Sequence, residues 1–370
     1  MLATIQRIIA LKPIPNADLI ECAVLLGWET VVKKGEFKQG DLCVWHTPDT
    51  VVDMEQPQYA FLAKSGGRLK ATRIRGQISQ GLAMPLSVFS SAVFPGDLQL
   101  EEGLDVTDRV GIKKYEKPPA WSGSCAHGVL RAWPTFLLKT DEPNLRNYPK
   151  SLALDYHGKE AYATMKCDGS SITIYMHNGV FGVCQRNYEA LRDARSPYWN
   201  VADKFGVESR LRALGCDNIA IQGEMCGTRI NGDRMKIGAN LQLYIFQVWD
   251  IVQQQFLNVD AARSLIDQLN TTTITSAKYD DDGNEDLPLS SSSSYPLLQW
   301  VPIVWRDVLD VEKHPLGHWI QVANALEFPN KAGPAEGLVL RLTKESWSPY
   351  MKNRVSTKII SERYALKHGE

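Results

Sequence analysis

Residues Met165-Lys166-Cys167-Asp168-Gly169-Ser170-Ser171 place an amine, a carboxylate and a glycine within four positions of one another. A lysine amine becomes a nucleophile when burial or a neighbouring cation favours its neutral form, and a phosphorus centre is one target for it. Asp168 offers hard oxygen donors to a divalent cation, and Gly169 lets the backbone turn with no side chain in the way. An ordinary polar turn prefers the same residue types. The meaning of the stretch therefore depends on what else the chain can bring to it.

Five further groups bear on that question. Arg186, in Cys184-Gln185-Arg186-Asn187, can grip a phosphate through two parallel hydrogen bonds or simply form a surface salt bridge. Glu224 ends the apolar run Ile219-Ala220-Ile221-Gln222-Gly223, where a solvated acid is the plain alternative. The run 243–251 carries Phe246 and Trp249, which period two sends to opposite strand faces, and also Asp250. Glu336 precedes the apolar stretch 337–340, and Lys358 sits in Arg354-Val355-Ser356-Thr357-Lys358-Ile359-Ile360-Ser361.

The elements that must position these groups are legible from periodicity. Residues 160–164 and 172–177 read as strands on either side of Lys166, the second alternating Ile172, Ile174 and Met176 with Thr173, Tyr175 and His177. The stretch 198–214 reads as one amphipathic helix with Trp199, Val201, Phe205 and Leu211 inward. Strands at 3–11, 19–26, 29–33 and 41–46, divided by Pro and Gly, suggest a small all-β barrel over 1–110. Lys33, Lys34 and Lys38 lie among Trp28, Phe37 and Trp45, and Arg73 and Arg75 belong to a second basic run. Cations among aromatics on such a barrel suit a nucleic-acid-binding OB-fold, unless the rings are core and the lysines a solvated face. Residues 111–132 read as an interdomain linker, 133–370 as a second domain and 271–297 as a low-complexity insertion within it.

Composition limits the alternatives. The 370 residues allow two cores, and 41 Lys+Arg against 42 Asp+Glu leave no global positive field, so nucleic acid must be met by local patches. The seven cysteines form no Cys-x-x-Cys pair, which argues against a zinc site or disulfide framework and for an intracellular compartment, cytoplasmic or nuclear. No apolar run is long enough to span a membrane.

Taken in order, these stretches resemble the motifs of the covalent nucleotidyltransferases, which include polynucleotide ligases and mRNA capping enzymes. Residues 165–171 resemble motif I, 243–251 motif III, 335–341 motif IV and 354–361 motif V. In that superfamily the lysine attacks the α-phosphorus of ATP or GTP and keeps the nucleoside monophosphate as a phosphoramide. The resemblance implies that role for Lys166 and contact with the ribose 2′-hydroxyl for Glu224. It implies adenine stacking by Trp249 or Phe246, phosphate contacts for Arg186 and Lys358, and metal coordination by Asp168, Glu336 and Asp250. Lys139 and Arg146, just before motif I, become candidates for the β- and γ-phosphates. Ser356 departs from the pattern, since many ligases carry a basic residue there; Arg354, on the same strand face by period two, is the candidate substitute.

The resemblance narrows further. Ala3-Thr4-Ile5-Gln6, Pro15-Asn16-Ala17-Asp18, Val32-Lys33-Lys34-Gly35-Glu36-Phe37, Ser79-Gln80-Gly81-Leu82 and Lys139-Thr140-Asp141-Glu142 look like the Deinococcus-type ATP-dependent RNA ligases. This implies an α+β chain with an N-terminal OB-fold β-barrel and an adenylyltransferase domain of antiparallel sheets flanked by helices, ATP-grasp-like in layout. It also implies a monomer using ATP with Mg²⁺ or Mn²⁺ to seal 3′-hydroxyl and 5′-phosphate ends in nicked RNA or RNA/DNA duplexes. A non-catalytic nucleic-acid-binding protein with a decayed site, a capping-type guanylyltransferase and a DNA ligase are the competing readings.

Overall fold

The computed structural model describes residues 1–48, 50–115, 130–228, 230, 232–238, 241–274, 295–329 and 332–369. Most of the expected linker and of the low-complexity insertion therefore lies outside the described residues.

The N-terminal strands Ala3–Arg7, Leu42–His46 and Leu82–Pro85 form one antiparallel sheet, and Ala10–Pro13, Ile20–Leu25 and Trp28–Lys33 form another. The single strand expected over 3–11 is two strands. At Ile8 and Ile9 the backbone changes partner, bonding first to the Asp41 carbonyl and then to the Val24 carbonyl, which turns the corner between the sheets. Among the described residues the strands lie in separate ladders and do not close into one continuous barrel. Leu26 and Gly27 join two strands with φ of 52° and 78°, the positive values that a two-residue hairpin turn of this hand requires. Trp28, Phe37 and Trp45 are buried with Ile8, Leu25 and Val32. The rings are thus core, and nucleic-acid stacking is not their role; only the cations around them face solvent.

The second half of the chain builds two antiparallel sheets. An eight-stranded sheet has Ser170–His177, Ile219–Cys226 and Gln242–Asp250 at its centre. A four-stranded sheet runs in the order Ile303–Val308, Glu160–Lys166, Gly337–Leu342, Ser356–Ile360. Helices Pro197–Lys204, Val207–Ala213 and Val259–Thr271 cover the larger sheet, burying Trp199, Val201, Leu211, Ile266 and Leu269 against Ile172, Ile174, Ile221 and Ile245. Where one helix was expected over 198–214 there are two, because Gly206 adopts φ 59° with Tyr295 packed where a side chain would stand. Helix Leu316–Ala325 packs Trp319 and Ala323 on Leu338, Leu340 and Ile359 of the smaller sheet. The whole is α+β, with sheets carrying the core and helices covering them.

The two halves are tied together at Arg146. It is 1% exposed and donates to Glu362 (2.8 Å), to the Gly27 carbonyl (3.0 Å) and to Gln80 (3.3 Å), with its guanidinium 4.7 Å from the Trp28 ring centroid. Beside it, the Trp28 indole N–H donates to Asn147 Oδ1 at 3.0 Å.

Candidate functional site

Lys166 is the last residue of a strand in the smaller sheet, and Ser170 is the first of a strand in the larger one. Cys167-Asp168-Gly169 is therefore the crossing between sheets and not a hairpin turn. The crossing is tight: a Cβ on Gly169 would stand 2.2 Å from the Met225 carbonyl oxygen, so this position excludes a side chain.

Strand register then fixes what faces the lysine. Lys166 pairs with Gly337, which puts Glu336 beside it, and the Lys166 ammonium lies 2.7 Å from Glu336 Oε1. One strand further, Val339 pairs with Lys358. In the other sheet Ser171 pairs with Glu224. The charges of Lys166, Glu336, Asp168 and Arg186 all reach Glu224. Burial pushes the Glu224 carboxyl up to about 8, with Glu336 and Asp168 adding to the rise and Lys166 and Arg186 opposing it. Burial likewise lowers Lys358 below the usual lysine range, helped by the nearby Lys166 and opposed by Asp141. Asp168, 4% exposed, accepts from the Tyr364 hydroxyl and lies 3.2 Å from Arg234 Nη1.

Six expected residues thus meet at one junction: Lys166, Asp168, Arg186, Glu224, Glu336 and Lys358. Lys139 is exposed at the cleft rim, its ammonium 5.2 Å from the Trp133 ring centroid. The aromatic pair separates. Phe246 packs near Met165, Cys167 and Tyr244, next to the lysine. Trp249 lies in a different cluster with Tyr175 and Phe256, and its indole N–H donates to the Phe136 carbonyl at 3.0 Å, so it is a core ring and not a base-stacking one.

Three other expectations are corrected. Asp250 pairs with Ile219, whereas Glu224 pairs with Tyr244, so Asp250 stands at the far end of the same strands and is no metal ligand of this site. Its carboxylate instead accepts from the backbone N–H groups of Val252 and Gln253 and shapes the turn there. Arg146, committed to the domain junction described above, is not available to outer phosphates. Arg354 does not substitute for the basic residue missing at 356: its guanidinium is taken up by Glu345 at 3.3 Å, Glu142 at 3.7 Å and the Phe256 ring at 4.2 Å.

Lys33, Lys34, Lys38, Arg73 and Arg75 are all exposed, as a phosphate-contacting set requires. Several residues at the site had no role in the sequence reading. Glu142 is held to about 2: burial opposes ionisation, but Arg341 at 3.0 Å and Arg354 outweigh it. Asp141 and Lys114 meet at 2.6 Å in the cleft that Arg186 also lines. Asp141 and Glu142 did stand in the quoted Lys139-Thr140-Asp141-Glu142 stretch and Arg341 closes the 335–341 stretch, but Arg234 and Tyr364 carry no local signal beyond their type.

Hard carboxylate oxygens suit Mg²⁺ or Mn²⁺, yet among the described residues no group of three or more His, Cys, Asp or Glu side chains is placed to hold a metal ion. A cation here would keep much of its water, as Mg²⁺ does. No helix among the described residues is long and apolar enough to cross a membrane.

Residues 2–86 match the family model of an OB-fold domain, and residues 159–360 match that of RNA ligase. The structure of a lysine-to-alanine variant of Naegleria gruberi RNA ligase with ATP and Mn is 31% identical, with a TM-score of 0.79 over 99% of this chain and 98% of that one. The Naegleria gruberi enzyme with pyrophosphate is 32% identical, with a TM-score of 0.77 over 98% of this chain and 97% of that one. No curated protein matches the sequence. An OB-fold domain followed by two sheets meeting at a lysine places the molecule in the nucleotidyltransferase superfamily. Within it, the chain belongs to the RNA ligase family.

Proposed function

We propose that this RNA ligase is ATP-dependent and seals 3′-hydroxyl/5′-phosphate nicks through a covalent lysyl-AMP. The observation that carries the reading is the convergence of Lys166, Glu336 and Lys358 on neighbouring strands of one sheet, facing Glu224 across the junction. The Naegleria structures with ATP and Mn support the nucleotide and metal assignments.

In the first step the Lys166 amine attacks the α-phosphorus of ATP, the bond to the β-phosphate oxygen breaks and pyrophosphate leaves. An ammonium paired with Glu336 has no lone pair to attack with, so Lys166 must lose that proton and the grip of Glu336 first. Glu336, with Asp168 behind it, is where a divalent cation would be held, and it would neutralise charge on the transferring phosphoryl group. Lys358 and Arg186 meet the phosphate oxygens, and Glu224 meets the ribose. Phe246 is the ring beside the lysine for adenine. In the second step AMP passes to a 5′-phosphate, and in the third a 3′-hydroxyl attacks and expels AMP. The exposed Lys33, Lys34, Lys38, Arg73 and Arg75 contact the duplex backbone. The six cysteines among the described residues are free, in keeping with a reducing intracellular compartment, and the chain acts as a monomer.

The test is incubation of the purified chain with α-labelled ATP and, separately, α-labelled GTP with Mg²⁺, followed by denaturation. Label from ATP that is absent in Lys166→Ala is expected. Label retained by Lys166→Ala refutes the assignment of the nucleophile, and label from GTP alone points to capping chemistry.

A further inference from the structure

One carboxylate sits among the cations of the cleft. Asp141 lines a cleft of about 120 Å³ together with Lys114, Lys139 and Arg186. Its oxygens lie 2.6 Å from Lys114 Nζ, 3.8 Å from Lys358 Nζ and 4.0 Å from Arg186 Nη2. Lys114 arrives from the N-terminal part of the chain, on the two-residue strand Lys113–Lys114 that pairs with Thr50–Val51. Burial disfavours the charged form of Asp141, but Lys358, Lys114 and Arg186 together hold it below the usual carboxylate range.

This arrangement makes a poor structural ion pair. The Asp141 side chain is 51% exposed and that of Arg186 is 67% exposed, and pairs so open to water add little to stability. Glu142, the next residue, shows what a structural carboxylate looks like here: its side chain is 13% exposed and bound to Arg341, itself 8% exposed. Asp141 instead offers its oxygens to Lys114, Lys358 and Arg186, side chains of the kind that grip a phosphate.

We infer that Asp141 is the resident counter-anion of the phosphate cleft. It neutralises Lys114, Arg186 and Lys358 while no nucleotide is bound and surrenders them to the pyrophosphate moiety of ATP. The inference rests on the proposed reading of Arg186 and Lys358 as phosphate contacts. Its consequence is kinetic as well as thermodynamic. A carboxylate that competes for the same cations lowers the affinity for pyrophosphate, and so helps the leaving group depart once the adduct has formed.

The alternative role for Asp141 is to orient the cations, and the sign of one substitution separates the two. Pyrophosphate binding is measured by titration calorimetry with Mg²⁺ on the full chain carrying Lys166→Ala, which prevents adenylylation and its reversal. Adding Asp141→Asn is expected to tighten binding about five- to tenfold, the effect of removing one competing charge at contact distance in a wet site. Adding Lys114→Ala as well should cancel most of that gain. Asp141→Ser, with melting curves for each variant, guards against a folding defect peculiar to Asn. If Asp141→Asn and Asp141→Ser leave binding unchanged or weaken it while Lys358→Ala also weakens it, the counter-anion role is wrong and the phosphate site stands. If Arg186→Ala and Lys358→Ala both leave binding unchanged, the phosphate site itself is wrong and the inference falls with it.

Discussion

Replacing Arg146 by Met separates a phosphate ligand from a domain tie. Met keeps most of the apolar stem and removes the charge, leaving the Glu362 carboxylate, the Gly27 carbonyl and the Gln80 amide without their donor. Removing one partner of a buried ion pair costs about 3–5 kcal/mol. Here Glu362 is 26% exposed and still accepts from Asn324 at 3.0 Å, which moves the cost to the lower end. The orphaned carbonyl adds about 1 kcal/mol. Loss of Arg146 Nε, which is buried with no hydrogen-bond partner among the described residues, gives back a similar amount. The expected loss is about 3 kcal/mol, a large part of the roughly 5–15 kcal/mol that holds a folded protein together. Urea unfolding followed by tryptophan fluorescence and by far-ultraviolet circular dichroism measures it, and ATP affinity well below the transition is expected to stay within twofold of wild type. A loss under about 1 kcal/mol accompanied by ATP binding weakened tenfold or more would refute the reasoning.

Glu224→Gln tests the buried acid. A carboxyl at about 8 in the folded chain and near 4.3 when unfolded contributes stability that is fully present below the unfolded value and is lost as pH rises through about 8. The melting temperature of Glu224→Gln should therefore exceed that of wild type at pH 9 and fall back towards it near pH 5, even as ribose recognition is lost; a difference independent of pH contradicts the shift. Trp249→Phe keeps a ring in the core but removes the donor to Phe136, so about 1–2 kcal/mol of stability should go while ATP affinity stays unchanged. Weaker nucleotide binding at unchanged stability would return Trp249 to the site.

What could be read from the chain was local chemistry on regular elements. Lys166 and Lys358 stand on apolar strands and Glu336 immediately before one, and strand register carries that order directly into space. Arg146 misled because its partners, Gly27 and Gln80, are 119 and 66 residues away and belong to the other half of the chain. Asp250 misled because a strand has two ends, and only pairing with Ile219 tells which end is which. The irregularity between Gln222 and Gly223, which leaves Phe246 unpaired in the ladder, has no sequence mark beyond one glycine. Asp141 was visible as a residue but not as a charge among charges, since Lys114 lies 27 residues before it and Lys358 stands in another strand near the end of the sequence.

The pairing of Lys166 with Gly337 and of Val339 with Lys358 also decides where this chain can change length. One residue gained or lost within 160–166, 337–342 or 356–360 would turn every later side chain of that strand to the opposite face. Within 160–166 it would carry Lys166, and between 356 and 358 it would carry Lys358, out of the junction. Between 343 and 355 the chain leaves the sheet for a small hairpin, Trp347–Ser348 with Asn353–Arg354, in which Trp347, paired with Arg354, is 63% exposed. The turn at 349–352 lies outside both ladders but is pinned to the core: Met351 is buried with Val355, and its backbone N–H donates at 3.0 Å to Ser348, which in turn donates to Asp155. A peptide tag placed in this turn is therefore expected to leave the strands in register and to lower stability by loosening Met351 and Ser348, whereas one placed within the strands removes the site.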